Sequence, residues 1–249
     1  MKGVILAAGR GSRMSDLTAD RPKCFVSLLG TTLFERQLAA LRAGGIAEIA
    51  VVTGYRAEAF AAFGVPTFHN PRWAETNMVV SLQAAAAWLR GGETLVSYSD
   101  IVYTPETVRR LVDADEELAI AYDPNFLELW RRRFADPAAD AESFRIDESG
   151  AVVEIGRKLP RLDDVEGQYM GLLKFRPAAW ERVEGVLAAM NARERDRLEM
   201  TALLARLVAQ GVRVAGVPVA GPWGEVDSAG DLALYEEIFA ERETMLGHG

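Results

Sequence analysis

Histidine is almost missing from this chain of 249 residues: only His69 and His248 occur, and cysteine appears once, at position 24. A lone cysteine excludes an internal disulfide, and so few donors nearly exclude a His/Cys zinc site. No run of about 18 uninterrupted apolar residues is present to cross a bilayer. The opening MKGVILAAG enters an apolar, strand-like run at once, with neither a signal peptide nor a lipidation motif ahead of it. These absences predict a cytoplasmic protein.

Positive charge is in deficit as well. The formal net charge is −8, so the overall field repels nucleic acid and anionic membranes, and an anionic partner has to be held by local basic groups. Lysine is the scarcer base, 4 of the 28 Lys and Arg residues, which makes each lysine position informative. Apolar (49%) and charged (26%) residues are in ordinary globular balance, and the length suits one large α/β domain over residues 1–249.

Short apolar runs alternate with helical patterns along the first half. GVILAA (3–8), closed by glycine, has the pattern of a strand buried on both faces. LFERQLAALRAGG (33–45) spaces its apolar residues for a helix and ends in a glycine pair suited to a C-cap. Further strands are predicted at 48–55, 65–70, 94–100, 117–123, 151–156, 171–175 and 212–219. Helices are predicted at 78–90, 105–113, 178–190, 199–210 and 229–242. Such alternation predicts a mostly parallel, Rossmann-like sheet flanked by helices, with ligands at the carboxyl ends of its strands. After about residue 124 the pattern loosens, and 122–170 reads as an acceptor-binding or lid insertion. Helix 199–210 is apolar enough to serve the core or a homodimer interface.

The loop RGSRMSDLTADRPK (10–23) gathers Arg10, Arg13, Arg21 and Lys23 after the first strand. Its spelling separates three phosphate-binding readings. A dinucleotide fingerprint needs a third glycine where Met14 stands, and a Walker A loop needs a Gly-Lys-Ser/Thr ending that is absent. What remains is a turn of small residues, Ala8, Gly9 and Gly11, whose amides can approach phosphate oxygens, with Arg13 and Lys23 to neutralise charge as pyrophosphate leaves. The plain alternative is a set of solvated charges beside Asp16 and Asp20.

The stretch GVILAAGRGSRMSDLTADRPKCFVSLLGTTLFERQLAALRAGGI resembles the amino-terminal signature of nucleotidyltransferases, LAAG-x-G-(S/T)-R-(M/L) followed by Pro-Lys. The resemblance implies a nucleotide held by Ala7, Ala8, Gly9, Gly11 and Ser12, with Arg13 and Lys23 as catalytic cations. It also implies a catalytic Mg²⁺ on a strand-end aspartate and a late aspartate after a tryptophan-bearing loop, positions matched by Asp100 in VSYSDIVY and Asp227 in GPWGEVDSAGDL. Hard carboxylate oxygens suit that ion. On its own, Asp227 reads equally as a helix cap, with Asp231 complementing the helix dipole.

ETNMVVSLQAA (75–85) resembles an element of phosphocholine-type cytidylyltransferases and of relatives acting on phosphonates, and implies nucleotide contacts from Asn77 and Ser81. The stretch 122–175 is similar to enzymes that cytidylylate phosphorylated glutamine. CTP is therefore the expected donor, and a small phosphorylated acceptor its partner. Lys158, Arg131, Tyr169 and Glu225 are the acceptor-side candidates; Trp130, Tyr169 and Trp223 could cage a choline-like cation, and Glu166 or Gln168 could meet an amino or amide group. A charge run such as WRRRF is also, commonly, a solvated helix face. The expected chemistry is in-line attack of an acceptor oxygen on the α-phosphorus of CTP, releasing pyrophosphate. Two alternatives stay open: a sugar-1-phosphate nucleotidyltransferase using UTP, GTP or dTTP, and a non-catalytic nucleotide-binding domain.

Overall fold

The computed structural model describes residues 1–11, 14, 18–159, 161–162, 165–219 and 221–245, the last five by their backbone. The first apolar run forms strand β1 (Lys2–Ala7). A 3-10 turn at Lys23–Phe25 and a hairpin of β2 (Ser27–Leu28) and β3 (Thr31–Thr32) lead into helix α1 (Leu33–Ala43). Thr32 and Glu35 cap α1 reciprocally, each side chain taking the other's backbone N–H. Strands β4 (Glu48–Thr53) and β5 (Thr67–His69) follow, then helices α2 (Met78–Ala84) and α3 (Ala86–Arg90). Next come β6 (Thr94–Tyr98), β7 (Ile101–Val102), α4 (Pro105–Asp113) and β8 (Leu118–Asp123). The second half carries α5 (Phe126–Arg133), β9 (Glu142–Ile146), β10 (Val152–Lys158) and β11 (Gln168–Phe175). It continues through α6 (Pro177–Ala188), α7 (Ala192–Asp196), α8 (Met200–Ala209), β12 (Ala215–Pro218), β13 (Gly224–Glu225) and α9 (Ala229–Met245).

Seven strands form the central sheet in the order β12-β8-β11-β6-β1-β4-β5. Only β11 runs against its neighbours β6 and β8; the other pairings are parallel. This is the Rossmann-like, mostly parallel α/β sheet that the alternating sequence predicts. The chain proceeds from β1 outward to β4 and β5, then returns to lay β6 on the other side of β1. Between β1 and β6 the winding reverses, and the loops after their carboxyl ends open a crevice there.

Strand periodicity sends alternate side chains into two separate cores. On one face Val4, Leu6 and Ala8 pack with Val79 and Leu82 of α2 and with the apolar sides of α6 and α8. On the other, Ile5 and Ala7 pack with Phe34, Leu38 and Leu41 of α1 and with α4 and α5. Each such buried aliphatic side chain contributes roughly 1.5–3 kcal/mol. A third cluster joins Val26, Leu28 and Leu33 to Val226 and Tyr235, and so docks the last helix against the first hairpin.

The structure adds detail where the sequence pattern is weak. The helix predicted at 78–90 divides at Ala85, whose N–H bonds back three residues to Leu82. The segment after residue 124 holds α5, and β9 pairs with β10 as a small antiparallel sheet whose Phe144, Val152 and Ile155 join the first core. No described helix is long and apolar enough to cross a membrane.

Candidate active site

The glycine turn after β1 seats a lysine. Gly11 has φ +70°, and a Cβ there would lie 2.7 Å from Lys23 Cβ, so only glycine lets the lysine stem pass. The turn is pinned by the Thr18 hydroxyl, which donates to Gly11 O at 3.0 Å. Lys23, in the 3-10 turn after Pro22, is 7% exposed. Ser12 and Arg13, both expected here, lie outside the described residues.

Two distant carboxylates meet that lysine. Asp100 follows β6 in a turn braced by Gln37, whose amide nitrogen donates to Tyr98 O at 2.9 Å and Ile101 O at 2.5 Å. Just beyond it, β7 pairs antiparallel with β13, matching Ile101 to Glu225 and Val102 to Gly224. Val226 N–H then donates to Asp100 O at 2.9 Å, and Asp227 is carried alongside Asp100. Gly224 permits this pairing because the Tyr235 ring occupies the space a Cβ would need.

The Asp227 side chain is not the cap of α9. Ser228 Oγ accepts from Asp231 N–H at 3.1 Å, while Asp231 Oδ2 accepts from Ser228 N–H at 2.9 Å and from Asp227 N–H at 3.0 Å. That reciprocal cap leaves the Asp227 carboxylate to the cleft, where Lys23 Nζ donates to it and, at 2.8 Å, to Asp100 Oδ2. Burial works against the Lys23 ammonium, but Asp100 and Asp227 outweigh it and raise its pKa above the ordinary lysine value.

Glu225 completes the cluster. One carboxylate oxygen from each of Asp100, Glu225 and Asp227 lies within 4.8 Å of the other two. Burial first, then the Asp100 and Asp227 charges, push the Glu225 carboxyl up to about 8, against the opposing pull of Arg133 and Lys23. Among the described residues, the buried Asp100 Oδ1 has no hydrogen-bond partner. An orphaned oxygen in a set of hard anionic donors fits a divalent cation such as Mg²⁺.

Behind Glu225 stands Arg133, whose side chain is wholly buried. Its Nε donates to Asp231 Oδ1 at 2.9 Å, Nη1 lies 3.5 Å from Glu225 Oε2, and the guanidinium stacks on Trp130 and Phe134. One arginine therefore touches both the capping carboxylate of α9 and the cluster.

Two adjoining cavities flank these carboxylates. The first is lined by Leu6, Ala8, Gly9, Gly11, Lys23 and Asp100, and across from them by Trp73, Thr76, Asn77 and Ser81. Asn77 caps α2, accepting from Met78 N–H at 2.8 Å, and still borders this space. The second cavity shares Asn77, Met78 and Tyr98 with the first, and adds Glu225 and Asp227. Its further walls include Asp140, Glu142, Lys158, Gln168, Tyr169, Glu199 and Trp223. Lys158 Nζ lies 3.4 Å from Glu142 Oε1 with most of its side chain exposed.

Not every sequence-based candidate reaches the cleft. Ala7 is buried in the core beneath the opposite sheet face, because it alternates with Leu6 and Ala8. Arg131 stands exposed on α5 and lines neither cavity. Trp130 is buried in the second core and does not line the second cavity, and Glu166 accepts from Ile146 N–H at 2.9 Å, bracing β9. Burial pushes the Cys24 thiol up, which makes it a poor nucleophile. Residues that the sequence did not single out, Trp73, Thr76, Asp140, Glu142 and Glu199, come from four separate loops or element ends. No spacing pattern links them.

Comparison with known proteins gives a consistent result. Residues 3–159 match the MobA-like NTP transferase domain. The chain is 34% identical over 256 residues to a CTP:phosphoglutamine cytidylyltransferase of Campylobacter jejuni subsp. jejuni, spanning 95% of this chain and 100% of that one. Among solved structures, an inositol-1-phosphate CTP transferase from T. maritima superposes with a TM-score of 0.76 at 18% identity, covering 97% and 96% of the two chains. A CTP:phosphocholine cytidylyltransferase from Streptococcus pneumoniae superposes with a TM-score of 0.72 at 21% identity, covering 96% and 98%.

Proposed function

The chain belongs to the MobA-like NTP transferase family and is a nucleotidyltransferase, and from that premise we propose that it transfers CMP from CTP to a small phosphorylated or phosphonate acceptor, releasing pyrophosphate. The observation that carries this reading is the position of the carboxylate cluster and Lys23 at the junction of two cavities, one beside the glycine turn and one beyond it.

In this reading the turn at Ala8, Gly9 and Gly11 receives the triphosphate, and Asn77 and Ser81 border the nucleoside. Lys23 neutralises charge as pyrophosphate departs, with Arg13, two positions after Gly11, as the second cation we assign. Asp100, Asp227 and Glu225 would hold Mg²⁺, which would supply positive charge to offset that of the phosphates. The acceptor phosphate is already anionic near pH 7, so the site needs no general base. Positioning and electrostatics suffice, as is usual for phosphoryl transfer.

The second cavity supports an acceptor whose far end carries an amino or amide group. Asp140, Glu142 and Glu199 line it against a single lysine, Lys158, which is suited to an acceptor anion. The small β9–β10 sheet contributes Glu142 and Lys158, in keeping with an acceptor-binding role for the 122–170 segment. The test is a donor and acceptor matrix: CTP, UTP, GTP and dTTP against phosphocholine, 2-aminoethylphosphonate, phosphorylated glutamine and glucose 1-phosphate, with the nucleotide-linked product identified by mass. Product from CTP and an amino- or amide-bearing acceptor supports the assignment. A sugar-linked product from UTP, GTP or dTTP overturns it.

A further inference from the structure

Helix α1 turns Leu33, Phe34, Leu38 and Leu41 into the core, and on that same face it carries one polar side chain, Gln37, which is 1% exposed. Its amide orientation is fixed by what it meets. Tyr98 O and Ile101 O can only accept, so the atom 2.9 and 2.5 Å from them is Nε2, and both of its protons are engaged by these two carbonyls. Among the described residues Oε1 is left buried with no partner. An apolar side chain would avoid that unpaired oxygen, so the two donated bonds are what the glutamine adds.

The two carbonyls stand at the ends of one turn. Strand β6 closes at Tyr98 and β7 opens at Ile101, with Ser99 and Asp100 between them. One planar amide therefore spans the turn and sets the separation of its ends. Tyr98 O has a second donor, Ser97 Oγ at 2.8 Å, which in turn accepts from the Tyr103 hydroxyl at 3.0 Å. The Asp100 carboxylate itself is held by Lys23 on Oδ2, while Oδ1 has no partner among the described residues. Its aim thus depends on the backbone that carries it.

We propose that Gln37 is a positioning residue for the divalent cation: by clamping both ends of the 98–101 turn from α1, it aims the Asp100 carboxylate toward Glu225 and Asp227. Outer residues that orient a metal's ligands typically account for part of its affinity. The inference rests on the carboxylate cluster being the cation site of the proposed function.

The test is Mn²⁺ binding to the whole chain, followed by paramagnetic resonance at a temperature where each protein is folded, for the wild type, Gln37→Met, Asp100→Asn and the double variant, each with its melting curve. Methionine is close to glutamine in length and donates nothing. Gln37→Met should weaken Mn²⁺ binding by about tenfold, the lower end for such outer residues. Asp100→Asn keeps Glu225 and Asp227 as ligands and so still binds Mn²⁺, more weakly. In that background Gln37→Met should cost less than about twofold, because the carboxylate it aims is gone. A merely structural glutamine would lower the melting midpoint and leave the Mn²⁺ affinity of the folded protein unchanged, or lower that affinity equally in both backgrounds. Either result overturns the inference while leaving the transferase reading standing. Should Gln37→Met fail to fold, Gln37→Asn, whose amide is one methylene short of reaching both carbonyls, decides by the same cycle. Equal Mn²⁺ binding by the wild type and Asp100→Asn removes the cation site and the inference with it.

Discussion

Lys23 Nζ donates to Asp100 Oδ2 at 2.8 Å across 77 positions of sequence, and the same ammonium reaches Asp227 from the far end of the chain. A buried lysine between two carboxylates serves the fold, and under the proposed function it serves the chemistry as well. As a structural counter-ion it offsets repulsion between Asp100 and Asp227; as a cation beside the glycine turn it is placed to meet phosphate charge.

Replacing Lys23 by Ala should therefore have two separable effects. Turnover should fall about 10²-fold or more if the ammonium acts chiefly on charge developing in the transition state. Without divalent ions the thermal midpoint should also fall, and Mg²⁺ should restore it by more than it raises the wild type, since the cation replaces the lost positive charge. Steady-state kinetics and melting curves with and without EDTA check both. Near-normal turnover would remove Lys23 from the chemistry.

Arg133→Met should cost about 3–5 kcal/mol of stability, because it leaves the buried Asp231 carboxylate without its charge partner. Arg131→Ala, two residues earlier on the exposed side of α5, should change stability by no more than about 0.5 kcal/mol. Urea denaturation of the two variants makes the comparison. Equal losses would contradict the buried role of Arg133.

That contrast shows where the sequence is legible. Strands of the parallel sheet are readable because burial on both faces leaves nearly continuous apolar runs, as at 3–8 and 94–98. Asp100 is readable because it breaks such a run at its carboxyl end. WRRRF, by comparison, looks like one solvated stretch. Only the helical phase, with Phe126, Trp130 and Arg133 on the inward side, separates the buried arginine from its exposed neighbours. From sequence Glu225 reads as an acceptor-side residue, or as a further metal ligand, a water holder or a structural residue two positions before Asp227. Its place beside Asp100 and Asp227 depends on the two-residue β7–β13 pairing, too short to leave a pattern.

Glu225 also sets a pH dependence. Its carboxyl lies at about 8 in the fold against an ordinary 4.5, so the folded chain binds that proton more tightly than the unfolded chain. In the absence of divalent ions, this contribution to stability is lost as pH rises from near 4.5 through about 8. Glu225→Gln in EDTA should consequently raise the thermal midpoint relative to the wild type by at least about 2 °C more at pH 8.5 than at pH 5.5. A pH-independent difference would contradict the strained carboxylate.

The most direct test of the central claim is pyrophosphate release from CTP, Mg²⁺ and 2-aminoethylphosphonate, phosphocholine or phosphorylated glutamine, compared between the wild type, Asp100→Asn and Asp227→Asn, with Mn²⁺ binding to each protein followed by paramagnetic resonance. The account predicts release by the wild type with at least one of these acceptors, a loss of about 10²-fold or more in both variants, and weaker Mn²⁺ binding in each while they remain folded. Folded variants that bind Mn²⁺ and release pyrophosphate as the wild type does would contradict it.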